Sequence, residues 1–302
     1  MLDEYIWGEV RRISPEAPVP VVELQERTHA PGGAANTAAN VASLGGQAIL
    51  VGIVGEDAQA AVLREALSRC GVEGGGLITT PDRPTTAKTR IIAHNQQVVR
   101  MDSEERRPLS SQMEESLLRW VEKHLGEAEA LLLSDYVKGV ITPRIAERLI
   151  LLAKEAGKPI VVDPKGRDYH KYRGATVVTP NIQEARLALN HLLNPPDDLL
   201  DLGQQLLMPL EGSPVLITRG SEGMSLFSSD HEVVHIPAVA RYVYDITGAG
   251  DTVVAALDLA LAAGATLEDA ARLANIAASI VISKVGTATV TLGELKAELS
   301  FH

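Results

Sequence analysis

The sequence predicts an α/β fold, a three-layer sandwich with helices on both faces of a mostly parallel central sheet and a small β-sheet lid beside it. Three observations predict it. From about residue 34 onward, short β-branched runs alternate with longer helical patterns, the rhythm of βαβ units. The runs are almost continuously apolar, as strands covered on both faces are. Polar residues follow them directly: Asp135 after 131–134, Asp163 closing 160–163, Asn181 after 176–179, Arg219 after 215–218. Those are the carboxyl ends of the predicted strands, the edge where open α/β sheets bind ligands.

The predicted strands are 49–54, 131–134, 160–163, 176–179 and 215–218. Helices are expected near 34–44, 57–69, 111–125, 143–156, 182–193 and 199–209. No repeat and no Ser/Gly-rich linker divides the chain, so residues 1–302 read as one domain. Two stretches break the rhythm. Residues 5–28 are rich in proline and β-branched residues, and residues 85–102 alternate apolar with polar around a turn at Asn95-Gln96. Both read as extended strands outside the main sheet, and they form the lid.

Composition narrows the function. A net charge of −11 opposes a nucleic-acid binder, which needs a basic face. The single cysteine, Cys70, rules out an internal disulfide and reads as a small buried hydrophobe. No apolar run reaches ~18 residues and no secretion signal is visible, so a cytoplasmic protein without a membrane span is expected.

The sharpest motif is Asp245-Ile-Thr-Gly-Ala-Gly-Asp251, which precedes an Ala-rich apolar helix over 252–263 that stops at Gly264. Small residues opening a helix leave bare amides that a ligand can approach, and the helix dipole favours an anion there. A transferring phosphoryl group fits such a concavity, formed by Gly248, Ala249 and Gly250, and Asp251 in the first turn is placed to take a hydroxyl proton. The plainer reading makes the glycines a tight turn and Asp251 a cap. Gly32-Gly33-Ala-Ala-Asn36 is a second glycine turn feeding a helix, where Asn36 can serve a substrate hydroxyl or the helix can simply pack closely. Neither the P-loop nor the dinucleotide fingerprint is present. His231-Glu-Val-Val-His235 matches a zinc-protease pattern, but its flanks and its Val-Val interior read as a short strand, which would hold the histidines about 13 Å apart.

These motifs, in this order and spacing, resemble the two signatures of the ribokinase-like (PfkB) carbohydrate kinases, over nearly the whole chain. Within that family the sequence is similar to the kinases of ADP-heptose synthesis, through 12–21, 31–36, Asn95-Gln-Gln97, 133–136 with Lys138-Gly139, 163–166 and 172–175. The resemblance implies ATP-dependent phosphorylation of D-glycero-D-manno-heptose 7-phosphate at O1, giving a 1,7-bisphosphate for lipopolysaccharide precursors. It makes Asp251 the base and 248–250 the anion hole. It places ATP on Asn181, Ile182, Gln183 and Glu184, on Thr218, Arg219, Gly220 and Gly223, and beside Asn275. Mg²⁺ would be organised by Glu184 through water, and K⁺, as in some relatives, by Asp245 and Thr247. Asp3, Gly32, Gly33, Asn36 and Lys165 would hold the sugar. Arg11, Arg12, Arg90, Lys138 and Lys165 are the candidates for its phosphate.

The chain departs from the family twice. Relatives carry a buried strand just ahead of the residues equivalent to 1–3, so Met1 is expected to be an internal methionine with the native chain starting upstream. Some relatives also carry a C-terminal nucleotidyltransferase domain. This chain ends at His302 without it, so adenylyl transfer is expected to belong to another polypeptide. The alternatives are a kinase of the same scaffold acting on fructose 1-phosphate, ribose or a nucleoside, an inactive sugar-binding regulator, and a scaffolding protein. The exposed lid edges lead to an expected homodimer.

Overall fold

A computed structural model describes residues 1–94, 96–190, 198–229, 232–239, 243–284 and 288–300. The chain opens with a long hairpin, β1 (Leu2–Ile13) and β2 (Pro20–Pro31), followed by α1 (Ala34–Ser43), β3 (Ile49–Gly55), α2 (Ala58–Arg69) and β4 (Glu73–Thr80). A second hairpin, β5 (Ala87–Ala93) and β6 (Gln96–Ser103), precedes α3 (Ser111–His124), β7 (Leu131–Ser134), α4 (Pro143–Glu155), β8 (Ile160–Asp163) and β9 (Val177–Val178). The remainder is α5 (Ile182–Leu189), α6 (Leu199–Leu207), β10 (Val215–Thr218), β11 (Met224–Phe227), β12 (Val234–Ile236), α7 (Ala249–Ala262), α8 (Leu267–Val281) and α9 (Leu292–Leu299).

The main sheet runs β12-β11-β10-β9-β8-β7, with β7 to β10 parallel and the last two strands antiparallel. Alternate side chains of the parallel strands enter different cores. Ile160, Val162, Val178, Val215 and Ile217 pack with α3 to α6, whereas Val161, Val177 and Leu216 pack with α7 and α8. Both faces are therefore covered, which is why these strands read as unbroken apolar runs. Each such side chain, fully buried, contributes roughly 1.5–3 kcal/mol.

The lid is a separate four-stranded sheet in the order β2-β1-β5-β6, as the two rhythm-breaking stretches predicted. The expected turn residue Asn95 lies outside the described residues. β3 and β4 form a parallel pair of their own rather than continuing the main sheet. β4 escaped sequence reading because Gly74-Gly75-Gly76 erases the β-branched signal. α8 and α9 escaped as well, although Thr266 and Thr291 cap them through the amides of Asp269 and Glu294.

Boundaries shift in three places. The 176–179 strand shrinks to Val177–Val178, while Thr176 and Thr179 still bond through their amides to Ile160 and Val162. α5 ends at Leu189, and 191–197 lie outside the described residues. The helix expected from 252 begins at Ala249, because Gly248 takes a left-handed conformation (φ 80°) and serves as its N-cap. Of the zinc-like pattern, His231 is outside the described residues, and His235 sits on β12 facing Ser225 Oγ at 2.8 Å.

Candidate active site

The fold brings one polar cluster to the carboxyl edge of the main sheet. α7 points its first turn at this edge, and α1 lies against α7, the two locked together where Thr252 Oγ1 donates to Asn40 Oδ1 (2.9 Å). Asp251 is buried, with 7% of its surface exposed. Three donors hold its carboxylate: Asn36 Nδ2 on Oδ2 (2.7 Å), and both Thr37 Oγ1 (3.1 Å) and the Tyr136 hydroxyl (2.9 Å) on Oδ1. A carboxylate offers about four lone-pair positions, so one on Oδ2 remains for an incoming hydroxyl. Burial raises the Asp251 pKa, against the pull of Asn36, Tyr136, Thr37 and Lys165. Burial, with the charge of Asp251 beside it, also pushes the Tyr136 phenol up, so it stays a donor.

No side chain caps α7. The Ala249 amide, expected in the anion hole, instead donates to Ile246 O at 3.2 Å. The first-turn amides of Gly250 and Asp251 have no such carbonyl partner among the described residues. A Cβ built on Gly250 would meet nothing within 4 Å, so the space before it is open.

A second carboxylate group adjoins Asp251. Lys165 Nζ lies between Asp163 Oδ1 (3.2 Å) and Glu184 Oε1 (2.7 Å) and sits over the Tyr136 ring at 5.6 Å. Burial pushes Asp163 up to about 7, opposed by Lys165 and assisted by the charges of Asp251 and Glu184. Burial pulls Lys165 down, but Asp163 and Glu184 outweigh it and hold the ammonium above its ordinary range. Glu184 Oε2 accepts from the Asn181 amide while Asn181 Oδ1 accepts from the Glu184 amide, each at 2.9 Å, a capping box that fixes the start of α5. Ile182 and Gln183 are the first residues of that helix.

The lid closes the third side. Asp3 is buried and accepts from Arg90 Nη1 at 2.9 Å. A Cβ on Gly32 would sit 2.8 Å from the Asp3 carboxylate, so glycine there lets the two segments meet. Gly33 has φ 54° and packs against Met1 and Tyr136. Lys138 pairs with Glu104.

Several expected residues stand apart. Arg11 pairs with Glu9 and Glu23 near the far end of β1, eight residues beyond Asp3 and roughly 26 Å away at ~3.3 Å per residue. Arg12 is its neighbour there, so neither reaches this cluster within one chain. The Arg219 guanidinium bonds back to Glu222, and Gly220 and Gly223, both with positive φ, bracket that short turn after Thr218. The buried Asn275 gives its side-chain amide to Pro237 O at 2.8 Å, tying α8 to the segment after β12. Asp245 Oδ1 accepts from the Thr247 amide at 2.9 Å. Thr37 and Tyr136 join the site without having been singled out for it. The polar position after a strand pointed to Asp163, but nothing in the sequence reveals that Thr37 and Tyr136 converge on Asp251.

Matching to known families decides the class: the model for the pfkB family carbohydrate kinases covers residues 4–292. The chain belongs to that family. Among relatives of this pfkB kinase, the bifunctional protein HldE of Geotalea uraniireducens is 47% identical over 299 residues, covering 99% of this chain and 61% of that protein. The chain thus spans about three-fifths of the length of the curated relatives it matches. Among solved structures, Arabidopsis thaliana ribokinase complexed with ribose and ATP superposes with a TM-score of 0.76 at 24% identity, covering 100% of this chain and 96% of that one. Phosphofructokinase-2 from Escherichia coli in complex with potassium gives 0.76 at 21% identity, with 99% and 95% covered. At these identities the two structures establish the ribokinase-like fold of the pfkB kinase. Among the described residues no helix is long and apolar enough to cross a membrane.

Proposed function

We propose that this pfkB kinase transfers the γ-phosphoryl of ATP to O1 of D-glycero-D-manno-heptose 7-phosphate, with Asp251 as general base. The observation that carries the reading is the buried Asp251 carboxylate at a glycine-capped helix start, held by Asn36, Thr37 and Tyr136 with one lone pair to spare. The sugar hydroxyl donates to Asp251 Oδ2 and loses its proton there as its oxygen attacks. The amides of Gly250 and Asp251 face the charge that builds on the migrating phosphoryl, a preorganised stabilisation that suits a reaction dominated by positioning. Asp3, Asn36 and Gly32-Gly33 orient the sugar, and Arg90, Lys138 and Lys165 are the cations placed for its phosphate. ATP would lie along Asn181–Glu184 and the 218–223 turn, with Asn275 shaping the helix behind it.

The donor set fits a divalent cation. Among the described residues the cations that meet Asp3, Asp163, Glu184 and Asp251 are Arg90 and Lys165, so a triphosphate entering this cluster needs added positive charge. Glu184 would hold Mg²⁺ through water, since Mg²⁺ keeps several waters and binds one or two carboxylates with substrate phosphates. Mg²⁺ would neutralise charge on the phosphates. Asp245 and Thr247 would serve K⁺, the ion named for the related phosphofructokinase-2.

The heptose assignment rests on the short matches to the kinases of ADP-heptose synthesis, and the HldE relatives support it. ATP as donor is consistent with a cytoplasmic enzyme. A homodimer through the lid is supported by the large apolar side chains exposed there, among them Ile13, Leu24, Val98, Val99 and Met101. ADP release measured with heptose 7-phosphate, ribose, fructose 1-phosphate and a nucleoside tests the substrate. A higher kcat/KM for ribose would overturn the heptose reading, and no turnover with any sugar would favour a binding protein.

A further inference from the structure

One buried charged group takes no part in the chemistry described above. Asp135 follows β7 directly, at the edge where Asp163 and Asp251 gather, yet only 2% of it is exposed and its carboxylate is taken up by the protein itself. Oδ2 accepts from Lys171 Nζ at 2.6 Å and from the Tyr172 hydroxyl at 2.7 Å, and Oδ1 accepts from the Val137 amide at 2.7 Å. Lys171 also donates to Ile141 O at 3.2 Å and lies over the Tyr172 ring. A buried ion pair adds little stability over apolar side chains of the same volume, because desolvation offsets its attraction. What it fixes is geometry, since losing either partner leaves a buried charge unpaired.

The residue enclosed by this group is Tyr136. The amide before it, on Asp135, donates to Asp163 O at 3.0 Å and extends the β7–β8 ladder. The amide after it, on Val137, is the one closed by Asp135 Oδ1, an Asx turn with Tyr136 at its centre. Val137 carries φ 54°, a conformation that a β-branched residue rarely takes and that surrounding contacts must impose. The backbone is thus pinned on both sides of Tyr136, whose hydroxyl reaches Asp251 Oδ1 at 2.9 Å. The anchor lies in the core. Tyr169 and Tyr172 are fully buried with their rings edge to face at 5.8 Å, which fixes the short turn 170–172. Burial and the charge of Asp135 push the Tyr172 phenol up, which keeps it a donor.

We infer that Asp135, Lys171 and Tyr172 are positioning residues for the phosphoryl transfer: they clamp the strained turn that aims the Tyr136 hydroxyl at Asp251, and act on the base through Tyr136. This rests on the reading of Asp251 as the base. Asp251 also meets the Asn36 and Thr37 side chains of α1, the Lys165 ammonium and the Asp163 carboxylate. Asp3 and Asp163 act with it on the Tyr136 phenol. Tyr136 is the member of this set carried by the turn that Asp135 closes. Its hydroxyl stabilises the ionised carboxylate, so a slackened turn withdraws a donor and raises the pH at which Asp251 ionises.

Titration of Asp251 tests the clamp. Protein labelled with ¹³C at the aspartate carboxyl carbons is titrated by NMR without ligands, and the Asp251 signal is assigned by its loss in Asp251→Asn. Tyr136→Phe sets the scale, an upward move of roughly one pH unit. Lys171→Met and Tyr172→Phe are expected to move the midpoint in the same direction by at least roughly half of that, and to add nothing in the Tyr136→Phe background. The acid limb of kcat/KM should follow, with activity there falling up to about tenfold. Tyr172→Phe changes no charge and keeps the ring in the core, so it carries the test should Lys171→Met fold poorly. A midpoint that stays at the parent's value in the variants that fold overturns the inference. So does a shift in Lys171→Met that persists in full beside Tyr136→Phe, which is the direct field of the lost charge. Turnover retained by Asp251→Asn would instead remove the base reading and leave the ligand-free titration to decide the clamp.

Discussion

Replacing Gly250 with alanine separates the two readings of the glycine-opened helix. Gly250 lies in the first turn of α7, its φ is not in the left-handed region, and a Cβ there meets nothing within 4 Å. As a purely structural change, Gly250→Ala relieves the backbone entropy of glycine and is neutral or stabilising by up to about 1 kcal/mol. In a chain of this size that raises Tm by roughly 2 °C or less. If a phosphoryl group must approach the Gly250 amide, the same methyl occupies the path of its oxygens. Loss of one such donor costs about 100- to 1,000-fold in kcat, or about 2.7–4 kcal/mol of transition-state stabilisation. Expected together are an unchanged or higher Tm by calorimetry and a kcat at least 100-fold lower in the coupled ADP assay. A variant that keeps kcat within threefold of the parent would refute the anion-hole argument, and one that loses both Tm and activity would show that the glycine serves the turn.

Asp251→Asn should lower kcat by about 100- to 10,000-fold with little change in Tm, because the hydroxyls of Thr37 and Tyr136 can turn to accept from the new amide while its oxygen keeps Asn36. Retention of kcat within tenfold would remove Asp251 from the role of base. The Asp251 pKa is raised by burial and the carboxylate must be ionised to work, so the acid limb of kcat/KM should lie above the ordinary carboxylate range. Tyr136→Phe removes a donor to the ionised form and should move that limb up by roughly one pH unit, as a pH–rate profile would reveal. Asp258 has a folded pKa of about 7 and an unfolded value near 4, so the folded state binds more protons between them and stability falls as pH rises through that window. Asp258→Asn should flatten the fall, by up to roughly 4 kcal/mol between pH 4 and 8, measured by urea denaturation. Arg11→Ala should leave kcat and KM unchanged in a monomeric preparation, since its partners are Glu9 and Glu23 at the lid tip.

Local patterns were sufficient for much of this protein. Continuous apolar runs named four strands of the main sheet because burial on both faces leaves no polar register, and the polar residues that follow them stand at its carboxyl edge. Gly248 and Gly250 announced a helix start with bare amides, since few other residues leave that end so uncovered. The lid was legible from proline-rich and alternating stretches that could not have been central strands. Other features depended on distant chain segments. The environment of Asp251 is set by Asn36, Thr37 and Tyr136, which lie more than 100 positions away in sequence, and no local spacing encodes which hydroxyl meets which carboxylate. Arg11 was a plausible phosphate ligand until a twelve-residue strand carried it away from Asp3. The Ala249 amide looked free until the turn before it supplied a carbonyl. That β3 and β4 form a pair of their own was invisible for the same reason: pairing is a relation between strands, and sequence describes strands singly.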